Sequence, residues 1–226
     1  MQLHGDVLPA DITSTSNQLF VRFESDFSMV DEGFSFTYED HCANVIPCAA
    51  DIVLVLDLSS SIPQDQFELA REFMMAFVDC EVLQEKDVRI AVVNYTCEAH
   101  TYFSLTPITM GMSHEIEHLM RGDGGITCTG RAIYYMRRTS KFRAAPEAHH
   151  TAVILTDGQS DDHQQAEAAD ARNAGIDLYA VGFGYPVLVD WAALATMTGD
   201  PVGSRVFDTS QACDAAQKIV ADQCGE

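Results

Sequence analysis

What this 226-residue sequence has least of is positive charge: 13 lysines and arginines stand against 34 aspartates and glutamates, a formal net charge of −21. A chain so acidic repels phosphate backbones and anionic lipid, which excludes nucleic acid and anionic membrane surfaces as partners. It suits divalent cations, basic partners or a salty exterior. No apolar run approaches the ~18 residues needed to cross a bilayer, so direct membrane insertion is not expected. The opening "MQLHGDVLPAD" is polar and has no hydrophobic signal region, as in a mature, truncated or cytosolic chain. No C-x-x-C pair occurs, which argues against zinc ribbons and thioredoxin chemistry. No G-x-S-x-G organises a serine nucleophile. "Gly182-Phe183-Gly184" lacks the third glycine of a dinucleotide fingerprint and comes too late in the chain.

Seven cysteines are present, at 42, 48, 80, 97, 128, 213 and 224. Their scatter fits an oxidised, secreted or extracellular domain, and the odd number leaves at least one thiol free or paired between chains. Asn94-Tyr95-Thr96 is a glycosylation sequon, although a half-buried Asn94 at a strand end is the plainer reading. With 47% hydrophobic residues the chain can fill a core.

From Ala49 onward, strand-like and helix-like segments alternate. "DIVLVLD" is a short apolar run, as expected of a parallel strand buried on both faces. After it, Phe67, Ala70, Met74, Phe77 and Val78 recur at helical spacing. Strands are expected at 88–95, 101–105, 150–157 and 176–184, with an edge strand at "SRVFD". Helices are expected over 113–120, from about Thr129, over "DDHQQAEAADARN" ending at Gly175, over "VDWAALATM", and over "SQACDAAQKIVADQC". The alternation predicts an α/β fold: a doubly wound, mostly parallel sheet flanked by helices. Residues 1–41 instead suggest two antiparallel strands, "NQLFVRFESD" and "GFSFTYE", a short N-terminal β appendage too small to be stable alone. A linker over 42–47 would join it to the main domain, 48–226.

In doubly wound sheets ligands bind beyond the carboxyl ends of the strands, near the switch in strand order. Three polar loops fall there: Asp57-Leu58-Ser59-Ser60-Ser61, "GGITCTG" with Thr127 and Thr129, and "LTDGQS" with Asp157. Taken singly, each is an ordinary helix cap or turn. Together they offer only hard oxygen donors, a set that selects Mg²⁺ or Ca²⁺, with Mn²⁺ possible, over zinc or copper. Five side chains leave room in a six-coordinate shell for an outside oxygen, so the expected device is binding rather than catalysis.

"DIVLVLDLSSSI", "GGITCTGRAI", "VILTDGQSDD" and "IDLYAVGFG" together resemble a von Willebrand factor type A domain, a Rossmann-like fold, over about residues 47–226. The resemblance implies a metal-ion-dependent adhesion site made by Asp57, Ser59, Ser61, Thr127 and Asp157. Ser59 and Ser61 would coordinate directly, and Thr127 and the aspartates would exchange between direct and water-mediated contact. It implies a secreted adhesion or matrix module without enzymatic activity. The partner would be an extracellular matrix or adhesion protein whose acidic residue completes the metal shell, and movement of the last helix could regulate affinity. Self-association is the other expectation, in an acidic structural or biomineral assembly that uses the metal for stability. Both ends of such a domain lie opposite the metal loops, which makes Cys48–Cys224 the expected bridge; Cys128 is expected to be packed or bonded.

"ITSTSNQLFVRFESDFSMVDEGFSFTYE" is similar to the last third of a CUB domain. That similarity puts Asp26 at a calcium-ligand position, but the strands carrying the other acidic ligands are missing, so calcium is not expected there.

Two short motifs compete. His114-Glu115-Ile116-Glu117-His118 matches H-E-x-x-H, the zinc-peptidase signature with His114 and His118 as ligands and Glu115 as base. A solvated helix face is preferred, because Arg121 and Gly124 break the extended pattern and no third ligand is evident. Arg121-Gly122-Asp123 spells an integrin-recognition tripeptide but stands in a glycine-rich turn, where such residues are expected anyway.

Overall fold

A computed structural model describes residues 48–224 except Pro146, Pro186 and Pro201, all within the second of two units, Cys42–Glu226. The expected N-terminal strands, the linker, Asp26 and Cys42 lie outside the described residues.

The elements run β1 (Ala49–Asp57), α1 (Gln64–Val78), α2 (Glu81–Gln84), β2 (Asp87–Tyr95), β3 (Ala99–Pro107), α3 (Met112–Glu117), α4 (Thr129–Thr139), β4 (His149–Thr156), α5 (Gln164–Asn173), β5 (Ile176–Gly182), α6 (Trp191–Thr198), β6 (Val206–Asp208) and α7 (Ala212–Cys224). Six strands form one sheet in the order β3-β2-β1-β4-β5-β6, and only β3 is antiparallel to its neighbour. The mostly parallel, helix-flanked sheet is the architecture read from the alternating pattern. No described helix is long and apolar enough to cross a membrane.

All nine residues of β1 are buried because the strand lies mid-sheet with helices on both faces. Ile52, Leu54 and Leu56 face one core, with Phe67, Phe73 and Phe77 of α1 and Ile219 of α7. Val53 and Val55 face the other, with Ile133 and Met136 of α4 and Leu194 of α6. The period-2 alternation of a strand thus serves two cores at once. Strand order reverses at β1: β2 lies on one side and β4 on the other, with Leu56 opposite both Asn94 and Leu155. The crevice at that switch point is where Asp57 and Asp157 emerge.

Three boundaries differ from expectation. The helix expected over 113–120 stops at Glu117, because Leu119 turns into the core and the Arg71 guanidinium takes up the carbonyls of Glu117 and Leu119. The strand expected at 101–105 extends over nine residues, its ends hidden in the sequence by an exposed, polar edge. The short α2, which buries Leu83, has no sequence counterpart among the expected elements.

Candidate metal centre

Asp57 is the last residue of β1 and is fully buried. Its Oδ1 accepts from the Ser59 backbone N–H at 2.8 Å, an Asx-type turn that swings the chain back over the strand end. Its Oδ2 accepts from Thr156 Oγ1 of the adjacent β4, also at 2.8 Å. Ser59 Oγ lies 3.1 Å from Ser61 Oγ; Ser59 is buried and Ser61 open to solvent. The alternation at 57, 59 and 61 therefore does bring one carboxylate and two hydroxyls together.

Asp157 follows β4 and is 3% exposed. Its Oδ1 accepts from the Gln159 N–H at 2.9 Å, and it lies near enough to Asp57 for the two charges to repel. Burial pushes the Asp57 carboxyl up to about 6, and the negative charge of Asp157 adds to that, against hydrogen bonds from Ser59 and Thr156 that favour the ionised form. Among the described residues no lysine, arginine or histidine pairs with either carboxylate. Two neighbouring buried carboxylates without a counter-charge, fringed by hydroxyls, fit a hard dication.

Thr127, 7% exposed, sits on a loop latched to both others. The Thr127 N–H donates to Asp161 Oδ2 (3.1 Å), and the Asp161 N–H donates to the Thr127 carbonyl (2.8 Å). On the other side Ser60 N–H donates to the Gly125 carbonyl, and Gly125 N–H to Ser60 Oγ. This approach requires glycine at 124: its φ is +79°, and a Cβ there would lie 2.7 Å from Ser60 Oγ. Cys128 is bonded to Cys97, tying the Thr127 loop to the β2–β3 turn. Below the loops, Tyr95 OH lies 2.9 Å from Thr129 Oγ1; burial, and then the nearby Asp57 charge, hold the phenol well above its ordinary range.

Several of these supports escaped sequence reasoning. Thr156 and Asp161 carry no motif of their own, and the motifs that contain Tyr95, Ser60 and Arg121 point to other roles for them. Arg121 donates through Nε to the Ile62 carbonyl (2.7 Å) and through Nη2 to the Ser59 carbonyl (3.2 Å), so the arginine of the R-G-D tripeptide is spent bracing the Asp57 loop. Asp162 accepts from the N–H groups of Gly130 and Arg131 and caps α4. Asn94 is half buried within β2, in register with Leu56 and His100. Cys48 is bonded to Cys224 and Cys80 to Cys213.

The peptidase constellation does not form. His114 and His118 meet on an exposed face of α3, but the carboxylate beside them is Glu117, not Glu115.

The family model for the von Willebrand factor type A domain matches residues 51–222. Matrilin-3 of Gallus gallus is 31% identical over 169 residues, covering 70% of this chain and 36% of its own length. Cochlin of Homo sapiens is 31% identical over 185 residues, covering 80% and 32%. The chain thus spans about a third of the length of these curated relatives. A solved structure of proximal thread matrix protein 1 from the mussel byssus, with a zinc-occupied MIDAS motif, has a TM-score of 0.62 at 22% identity. That match covers 79% of this chain and 46% of the byssus chain, and attests the fold alone. With the strand order, the switch-point crevice and this coverage in agreement, the chain belongs to the von Willebrand factor type A domain family.

Proposed function

We propose that this chain is a secreted, non-enzymatic adhesion or matrix module that grips a protein ligand through a divalent ion. Asp57, Ser59, Ser61, Thr127 and Asp157 would hold the ion, Mg²⁺ or Ca²⁺, with Mn²⁺ also suited to an all-oxygen set. The observation that carries this reading is the uncompensated pair of buried carboxylates at the switch point, with Ser59 and Ser61 hydroxyls beside them. Bound there, the ion supplies a Lewis-acidic position for a carboxylate of the partner. The chain's own residues fix its depth: Thr156 and the Ser59 N–H orient Asp57, Gln159 orients Asp157, and the Cys97–Cys128 bond steadies Thr127.

Likeness to matrilin-3 and cochlin, extracellular matrix proteins, supports the location and the class of partner. The zinc-occupied MIDAS motif of the byssus protein supports a dication in this kind of site. Binding of the full chain to an immobilised extracellular-matrix extract, measured in Mg²⁺, in EDTA and with Asp157→Ala, tests the reading. Binding is expected to vanish in chelator and in the variant; undiminished binding in EDTA rejects the metal mechanism. Ser59→Ala and Ser61→Ala should lose ligand while the circular dichroism spectrum stays that of the folded domain.

A further inference from the structure

The first turn after β3, α3, which packs against α1, gathers a different set of donors. His114, Glu117 and His118 stand at positions i, i+3 and i+4, one face of a helix. One ligand atom from each lies within 4.8 Å of the others. All three are exposed, with the side chains of His114 and Glu117 at 73% and 54%. Free side chains at such separations close onto a metal about 2.0–2.1 Å from each donor by small rotations about χ1 and χ2.

A hydrogen bond already selects the tautomer of His118. His118 Nδ1 lies 2.7 Å from the His114 carbonyl oxygen, which can only accept, so Nδ1 carries the proton and Nε2 presents its lone pair outward. His114 Nδ1 and Glu117 Oε2 lie 3.0 Å apart, the separation of two donors on one ion once the metal displaces the proton between them. A ring N–H given to a carbonyl or a carboxylate is the arrangement that orients metal-bound histidines and raises their basicity. The two rings stand edge to face with centroids 4.5 Å apart. Arg71 is engaged by Glu68 and by the carbonyls of Glu117 and Leu119, and no ion pair joins it to the Glu117 carboxylate among the described residues.

We propose that His114, Glu117 and His118 form a second metal site on the exposed face of α3, taking zinc or another borderline transition dication. Two imidazole nitrogens and one carboxylate oxygen suit such ions, whereas the oxygen-only centre at the switch point suits Mg²⁺ or Ca²⁺. The two sites sort metals by donor softness, and neither depends on the other. Three protein donors leave one tetrahedral position open, on an exposed face with no catalytic base placed by the H-E-x-x-H pattern.

The test is calorimetric titration of Zn²⁺ into the full chain in saturating Mg²⁺, which occupies the oxygen-lined centre. One zinc equivalent with micromolar affinity is expected. His114→Ala and His118→Ala should each weaken it by about tenfold or more, as loss of a ligand does. Asp157→Ala should leave it unchanged, and the imidazole resonances of His114 and His118 should shift on zinc addition. All three residues are exposed, so the variants keep the fold. No zinc binding below about 1 mM, equal binding in the His114→Ala/His118→Ala double variant, or loss in Asp157→Ala instead, would each overturn the proposal.

Discussion

At the scale of single residues, the decisive side chain is Asp57. Burying a carboxylate beside a second one is unfavourable unless a proton or a metal neutralises it. Burial pushes its carboxyl to about 6 from the ordinary 3.8. The ion-free folded state therefore binds more protons than the unfolded chain between those values, and the domain loses stability as pH rises through that window. The expected loss is up to about 3 kcal/mol. Urea denaturation in EDTA across that range should show the fall, and Asp57→Asn should flatten it; a stability that climbs with pH in the ion-free domain would contradict the assignment. Asp57, Ser59, Ser61 and Asp157 were legible as candidates because an apolar run gives way to a loop at each and strand alternation aligns 57, 59 and 61, and Thr127 because it stands in a glycine-rich loop before a helix. Thr156 and Tyr95 were not, because only the β1–β4 and β1–β2 registers bring them there, nor was the bracing role of Arg121, which arrives from the α3–α4 connection.

At the scale of elements, the end of the sheet opposite the metal loops is held by a different kind of carboxylate. Asp51 of β1 is fully buried, and burial alone would raise its pKa. Hydrogen bonds from Arg89 of β2 and from Arg143, in the α4–β4 connection, outweigh that and hold it below its ordinary range. Arg143 also bonds Asp87 through a side-chain pair and reaches the carbonyls of Ala50 and Asp87. One carboxylate of β1 thus fastens β2 and the α4–β4 connection to the central strand. Asp51→Ala takes the carboxylate partner from Arg89 and leaves Arg143 with Asp87, and should cost about 3 kcal/mol, read as a lower urea midpoint with an unchanged slope. The sequence shows Asp51 only as a polar residue opening an apolar run; that it is paired rather than solvated depends on Arg143, 92 positions away. The early stop of α3 has the same origin, since the arginine that takes its last carbonyls comes from α1.

At the scale of the whole molecule, three disulfides span much of the described fold: Cys97–Cys128 at the metal loops, Cys80–Cys213 at the start of α7, and Cys48–Cys224 at its end. The last two close loops of 133 and 176 residues, and chain-entropy reasoning gives each about 5 kcal/mol as an upper figure. Cys80→Ala/Cys213→Ala should cost about 2–4 kcal/mol and lower the melting temperature by several degrees. Differential scanning calorimetry decides this, and an unchanged transition would show that packing of Ile219 and Val220 with the Cys48–Cys224 bond holds α7 without the second bridge.

Because α7 is sewn down at both ends, it cannot travel the ~5.4 Å of a helical turn without rupturing a covalent bond. If the proposed function holds, a module fastened in this way would work at one fixed setting: its occupancy would follow the concentrations of ion and ligand around it, with no sliding helix to carry a signal from elsewhere.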